Sequence, residues 1–196
     1  AKSGALDQVR ALAAKDPSLV KSKDAAGNTP LHLAAAAGSV PMVELLISLG
    51  APIDDANAAG RTPLHESMLA RKPEAALALI AKGADVRKPG DGMGRTPLHM
   101  AALSDIAAVV GPLAAKGADL EKLDQQGLSP LVCALFWSPG ISVVRALIDE
   151  GADINAVGPR GSTVLDIAAA GYVNPAANVE LLLYRGATYT PDRAPR

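Results

Sequence analysis

The sequence has 196 residues, a net charge of −1 at pH 7, one cysteine and only 3% aromatic residues. A nearly neutral chain lacks the broad attraction to phosphates on which nucleic-acid binding depends, so DNA and RNA are not expected partners. A single cysteine excludes an internal disulfide, and since no run of about 18 apolar residues occurs, no membrane span is predicted.

The first predicted element is an amphipathic helix over residues 5–15, which Asp16-Pro17 ends. Its apolar residues at helical spacing are Leu6, Val9, Leu12 and Ala13. Its polar residues are Asp7, Gln8, Arg10 and Lys15. We interpret residues 1–23 as a capping unit that keeps a polar face toward solvent, in which this helix is the second of a pair and the first is short, irregular or absent.

Beyond residue 23, one motif returns at nearly constant spacing. A glycine two residues ahead of a Thr or Ser stands at positions 27, 60, 94, 127 and 161, so the steps are 33, 34, 33 and 34 residues. A Gly-Ala pair at 50, 83, 117, 151 and 186 marks the end of each copy. Five copies of one unit are therefore predicted, starting near residues 24, 57, 91, 124 and 158.

Each copy opens with a helix-start signal. Thr-Pro-Leu-His begins at residues 29, 62 and 96, and Ser-Pro-Leu-Val and Thr-Val-Leu-Asp follow at 129 and 163. Thr or Ser caps the first turn, and Pro at the first helical position gives up an N–H that would have no partner there. The glycine at the far end adopts the left-handed conformation that closes a helix. Each unit is thus predicted to be a helix pair, over 30–37 and 41–49 in the first copy and over 63–71 and 73–81 in the second.

This pattern resembles the ankyrin-repeat family over about residues 24–187. The residues that carry the resemblance, besides the repeated motif and its period, are Leu33-Ala34-Ala35, Val43-Glu44-Leu45-Leu46 and Gly151-Ala152-Asp153-Ile154-Asn155. The resemblance implies an all-α repeat solenoid, in which antiparallel helix pairs stack and β-hairpin fingers project from them. It also implies one domain over 1–187, with 188–196 as a flexible tail, and binding of a protein partner through the fingers and the concave inner helices.

Three places depart from the regular unit. The finger before the third copy is one residue longer, as 83 to 94 against 50 to 60 shows, and is expected to be looser. Gly111-Pro112 falls inside the outer helix of the third copy, where we expect a kink or a helix that restarts at Pro112. Extra residues around 138–140 and 172–175 lengthen two loops between helices, and such insertions often distinguish the binding surface of a repeat protein.

The polar and reactive residues of the repeats are predicted to be structural. His32, His65 and His99 belong to the repeated motif and, by the resemblance, bond to the backbone of a neighbouring loop. Asp166 forms a capping box with Thr163, and Cys133 is a small buried hydrophobe. We therefore expect no metal, no cofactor and no catalytic activity.

The bulky residues give the candidate binding site. Phe136 and Trp137, the only Phe and Trp, stand nine and ten residues after their repeat glycine, which in the family is the end of the inner helix beside the groove. Space filling beside the longer loop is the alternative for this pair, and a solvated rim is the alternative for the cations. The predicted partner-binding residues are Phe136, Trp137, Tyr172, Met93, Arg95, Gln125, Gln126, Leu128, Arg160, Arg61, Arg87 and Lys88.

The expected function is binding of one protein partner by a chain that is a monomer when unbound. A masking role, in which the chain covers the active site of an enzyme made by the same cell as an inhibitor or immunity protein would, is the favoured form of this hypothesis. A passive scaffold or adaptor is the main alternative, and an enzyme with its site in the insertion loops is a remote one. The Ala-rich, Cys-poor composition and the small residue at position 1 favour a bacterial source and a periplasmic over a cytoplasmic location.

Overall fold

The computed structural model describes residues 2–158, 161–171 and 174–188, in which the regular secondary structure is almost entirely helical. The helices of the described residues are α1 (Lys2–Lys15), α2 (Pro30–Ala37), α3 (Val40–Ser48), α4 (Pro63–Leu69), α5 (Pro73–Ala81), α6 (Pro97–Leu103), α7 (Val110–Ala115), α8 (Pro130–Trp137), α9 (Ser142–Asp149), α10 (Val164–Ala170) and α11 (Pro175–Tyr184), with 3₁₀ helices at Pro17–Lys21 and Ala107–Val109. The predicted all-α repeat solenoid is confirmed.

The chain separates into two compact units, Ala1–Gly92 and Met93–Arg196. In the first unit, inner helices α2 and α4 pack side by side, outer helices α3 and α5 do the same, and α1 lies on α3 as the outer helix of a capping unit would. In the second unit, the inner helices α6, α8 and α10 pack in order and α7 packs on α9. Each unit has its own leucine-rich core. The single domain over 1–187 stays a prediction.

The inner helices begin where the motif predicts, and the first one shows why. The Nδ1 atom of His32 lies 3.1 Å from the backbone nitrogen of Thr29 and 2.8 Å from its Oγ1. Because Nδ1 accepts the Thr29 N–H, the proton of the neutral ring is on Nε2, which donates to the carbonyl oxygen of Arg61 at 2.9 Å. His32 therefore caps its own helix and holds the next finger.

His99 repeats this arrangement in the second unit, where its Nε2 lies 3.0 Å from the carbonyl oxygen of Leu128. The predicted structural role of the motif histidine is thus confirmed for His32 and His99. In the last repeat, Asp166 takes over the capping role, since its Oδ2 accepts the Thr163 N–H at 2.9 Å. The predicted Thr163–Asp166 capping box is confirmed.

The fingers are tight turns. In the described residues the only strand-type pairing is one isolated bridge, Val157 with Thr163, at the base of the fifth finger. A finger closes when its first residue donates a backbone N–H to the carbonyl of the residue four positions later, as Asp24 does to Asn28 at 3.0 Å. Successive fingers are joined by further backbone bonds, such as Ala58 N–H to the Ala26 carbonyl at 3.0 Å. The hairpins that begin at Asp24, Asn57, Asp124 and Gly158 are thus closed by one or two backbone bonds each.

Within each of the two units, side-chain acceptors also join neighbouring repeats at the other end of the finger. In the first unit, Oδ1 of Asp54 accepts the backbone N–H of Asp85 at 2.9 Å. In the second unit, Oε1 of Glu121 accepts that of Asp153 at 2.8 Å, and Oδ1 of Asn155 accepts that of Thr188 at 2.9 Å. Thr188 is therefore anchored, and the rest of the predicted flexible tail, 189–196, lies outside the described residues.

The outer helix of the third repeat is interrupted, as the sequence predicts, although at a different residue. A 3₁₀ turn over Ala107–Val109 precedes α7, which begins at Val110. Pro112 therefore lies in the first turn of α7, where a missing N–H leaves no helical bond unmade. The predicted restart at Pro112 is corrected to a restart two residues earlier.

The longer loop of the fourth repeat is held by its neighbours. Ser138, which is buried, donates its hydroxyl to Oδ1 of Asp105 at 2.7 Å, and Asp105 has a left-handed φ of 54°. The carbonyl of Pro139 accepts the side-chain amide of Asn174 at 2.6 Å. The inserted residues thus form a hydrogen-bonded row of loops between helices. Residues 172 and 173 of the other insertion lie outside the described residues.

Candidate functional site

The end of α8 brings two aromatic side chains to the surface. Trp137 is the last residue of this helix and is 44% exposed, while Phe136 is partly buried. Their ring centroids are 5.4 Å apart, with a tilt of 51° between the planes. Because Ser138 turns inward to Asp105, the chain leaves the helix directly after Trp137 and leaves its indole open to solvent on one side.

Arg95, from the finger of the third repeat, covers part of that indole. Its Cζ atom lies 5.9 Å from the Trp137 ring centroid, which is within range of a cation–π interaction. Its Nε is 3.5 Å from Oδ2 of Asp124, and its Nη2 is 3.5 Å from Oε1 of Gln126. We call Arg95, Gln126, Phe136 and Trp137 the aromatic patch.

A buried carboxylate supports the aromatic patch from below. The side chain of Asp124 is fully buried, and its Oδ1 accepts the backbone N–H groups of Gln126 and Leu128 at 2.8 and 3.0 Å. Its other oxygen faces Arg95. Since the carboxylate is bonded to both the finger backbone and the guanidinium, it positions Arg95 against the indole.

Three further predicted residues lie on the same fingers, and one of them does not face solvent. Gln125 is exposed and donates its backbone N–H to the carbonyl of Met93 at 2.9 Å, while Met93 is partly exposed. Leu128 is only 5% exposed, so its predicted role in partner binding is wrong: its side chain is part of the core, and its carbonyl accepts from His99. Tyr172 and Arg160 lie outside the described residues.

The three predicted cations of the first unit are not part of the aromatic patch. Arg61 donates from Nε to Oε1 of Glu66 at 2.7 Å, and Lys88 donates from Nζ to the carbonyl of Asp54 at 2.6 Å. Arg87 is exposed, and its backbone N–H is bonded to Oδ1 of Asp85. Glu66 thus offsets the charge of Arg61, and Lys88 is engaged in a contact within the chain.

The first unit has a polar groove of its own, about 380 Å³ in volume, between two fingers and α2. In its wall, Nδ2 of Asn57 donates to Oδ1 of Asn28 and to Oε1 of Glu66, both at 2.8 Å. Exposed Leu33 forms its apolar side. The sequence reasoning missed Leu33 and also Leu69, which is exposed and stands nine residues after its repeat glycine, as Phe136 does. That shared position is the signal that could have identified Leu69.

The side chains that could take part in catalysis or metal binding have structural positions in the fold. Cys133 is buried in α8, and burial raises the pKa of its thiol to about 12, so the thiolate is scarce at neutral pH. Among the described residues, no three His, Cys, Asp or Glu side chains converge as metal ligands would. None of the helices in the described part of the chain combines the length and apolarity of a membrane span.

Comparison with known proteins identifies the repeat. The family model described as ankyrin repeats (3 copies) matches residues 1–90, 55–124 and 87–158, which together cover most of the chain. A search of curated proteins found no match. Ankyrin repeats generally mediate protein–protein interactions and typically form binding modules without enzymatic activity. With the motif spacing, the histidine caps and the stacked helix pairs, this match shows that the chain belongs to the ankyrin-repeat family.

Proposed function

We propose that this chain binds one protein partner through the aromatic patch and the fingers of the second unit. The contact between Arg95 and the half-exposed indole of Trp137 carries the proposal. Trp and Arg are the side chains most often found to dominate binding energies at protein interfaces, and here each restricts the motion of the other before a partner arrives. Asp124 holds the pair in place, so little conformational entropy remains to be lost on binding.

The aromatic patch suits a partner surface that is apolar at its centre and acidic beside it. The indole and Phe136 offer area that is favourable to bury, and Arg95 and Gln126 offer donors and an acceptor at its edge. Gln125 and Met93 extend this surface along the fingers. The predicted Tyr172 and Arg160 are adjacent in sequence to the fifth inner helix and its finger and stay part of the proposal.

The first experiment is capture of a partner from the native cell with the full chain, followed by affinity measurement with the identified protein. Trp137→Ala should weaken binding about 30-fold, since truncation of a central interface Trp typically costs about 2 kcal/mol. Tyr184→Ala is the matched control, because Tyr184 is an aromatic residue of the same unit that is 84% exposed on α11, outside the patch. Equal affinity for both variants, at equal helicity, would remove the aromatic patch from the interface.

The finer proposal is that binding masks the active site of an enzyme made by the same cell. A rigid surface with an exposed Trp can block the active-site cleft of an enzyme without being catalytic itself. This property supports masking over passive scaffolding. The captured enzyme is assayed with increasing amounts of the chain. Inhibition that Trp137→Ala relieves supports masking, whereas full turnover in a saturated complex means a scaffold or adaptor. A bacterial, periplasmic origin stays a prediction, and the gene segment upstream of the Ala1 codon tests it.

A further inference from the structure

The first unit carries an apolar groove that the aromatic patch does not explain. It has a volume of about 410 Å³ and is formed by α1, the 3₁₀ helix Pro17–Lys21, α2 and α3. Leu12, Leu19 and Leu33 form its rim and are 40–54% exposed, whereas Val20, Ala34 and Leu46 form its buried floor. Three of the exposed large hydrophobic residues of this unit therefore converge at one place, which is how binding surfaces differ from scattered surface leucines.

The packing partners of α2 indicate what kind of element could fit beside it. On one side, α2 packs along α4, a helix of similar length. On the other side it meets the short 3₁₀ helix, and Leu33 and Ala34 remain in contact with the groove. Because the 3₁₀ helix leaves Leu33 exposed, one further helix of about two turns beside α2 would cover the rim leucines.

The charged residues around the groove indicate which charge the side chains of a docked helix should carry. Arg10 lies one turn before Ala13 on α1, Lys15 lies one turn after Leu12, and Lys21 directly follows Val20. All three cations are exposed, and no carboxylate within the described residues forms an ion pair with them. Asp7 lies on the opposite side of α1 from Val9, by helical geometry.

The nearest carboxylate at the end of α1 is already engaged. Oδ1 of Asp16 accepts the backbone N–H of Ser18 at 2.9 Å and its hydroxyl at 2.6 Å. These bonds leave the carboxylate ionised, so Asp16 offsets only part of the charge of Arg10, Lys15 and Lys21, and the three cations keep an excess of positive charge beside the groove. Acidic side chains on a docked helix would balance them, and basic ones would be repelled.

We propose that this groove binds one amphipathic α-helix of a partner protein, with leucine-like residues on its buried side and Asp or Glu at its flanks. The groove and the aromatic patch share no residues, so a test of one proposal does not decide the other. A second copy of this chain, or no ligand at all, are the competing outcomes.

The probe is a fluorescein-labelled, hydrocarbon-stapled peptide of about 14 residues, roughly four turns, with leucines at i, i+3, i+4 and i+7 and glutamates beside them. One control peptide has the same composition with its leucines spread around the helix, and another has lysines in place of the glutamates. Fluorescence anisotropy with the full chain measures each affinity. The proposal expects the acidic amphipathic peptide to bind at least tenfold more tightly than both controls, and equal affinities would overturn it.

Variants of the full chain place the peptide in the groove. Leu12→Glu should weaken binding about tenfold or more, since it puts a charge on the apolar rim while leaving the core untouched. Leu69→Glu, a change of equal chemistry at an exposed leucine of the same unit outside the groove, should leave the affinity unchanged. An unchanged affinity for Leu12→Glu would overturn the proposal. So would sedimentation that shows self-association of the unliganded chain which Leu12→Glu abolishes, because the groove would then be a dimer interface.

Discussion

Gly90 lies against the imidazole ring of His65, so closely that a Cβ atom at residue 90 would overlap the ring. Gly90 is the residue that precedes the finger of the third repeat, and it is buried. The sequence predicts that the longer finger is loose, yet its glycine is packed against the histidine of the preceding repeat. Residue 90 can pack there because glycine has no side chain.

Gly90→Ala should therefore destabilise the chain by about 1–3 kcal/mol, the usual cost of forcing a methyl group into a packed site. Urea unfolding followed by circular dichroism measures the change. Gly92→Ala is the control, because a Cβ there would meet nothing within 4 Å and residue 92 has an ordinary φ. If both variants unfold at the same urea concentration, the close approach of Gly90 to His65 does not contribute to stability.

His32 should titrate below its ordinary pKa of 6.5, because burial disfavours its charged form. The unfolded chain then binds a proton that the folded chain does not, so stability is present above pH 6.5 and falls as the pH drops toward the folded pKa. The C2 proton signal of His32, followed by NMR, reports its pKa directly. In His32→Gln, the loss of unfolding free energy between pH 7 and pH 5 should be smaller than in the parent, and an equal loss would contradict the assignment.

Cys133 should be unreactive in the folded chain. Burial raises the pKa of its thiol to about 12, so almost no thiolate is present at pH 8. We expect Ellman's reagent at pH 8 to label the native chain at least 100-fold more slowly than the chain in strong denaturant, where the thiol has an ordinary pKa. The sequence has one cysteine, so the signal reports this residue alone. Similar rates in both conditions would mean that Cys133 is accessible.

Asp166→Ala should cost about 1 kcal/mol of unfolding free energy, the typical value of a lost helix cap. Its Oδ2 accepts both the Thr163 N–H and the Thr163 hydroxyl, at 2.9 and 2.8 Å. Asp166→Asn keeps an oxygen acceptor at the same place and should lose less. Thermal and urea unfolding of both variants test this prediction. A larger loss of stability for Asn than for Ala would show that the capping bonds are not how Asp166 stabilises the fold.

The parts of the fold that the sequence predicts well are those decided by local chemistry. Pro30, Pro63, Pro97 and Pro130 each begin an inner helix, because a cap and a proline act within one turn of the chain. The interruption near Pro112 follows from the same rule. Its position does not, since the restart at Val110 depends on the 3₁₀ turn that precedes it.

The candidate site was predicted less completely because exposure depends on contacts between repeats. Trp137 is accessible as expected, but the side chain of Leu128 is buried, and its own carbonyl bonds to His99, 29 residues earlier. Similarly, Glu66 engages Arg61 through a contact that sequence spacing alone does not single out. Position within a repeat indicates which side chains can face a partner, and the neighbouring repeat decides which of them do.

The side-chain acceptors that join successive repeats have a mechanical consequence for the second unit. Thr188 is bonded to Asn155, and Asp153 is bonded to Glu121, so each bond spans one repeat and the two are arranged in series. A force applied at the carboxyl end would load the Thr188 bond first and reach Asp153 only after the last repeat had detached. The unit should therefore peel in steps of one repeat from that end, instead of rupturing in a single event.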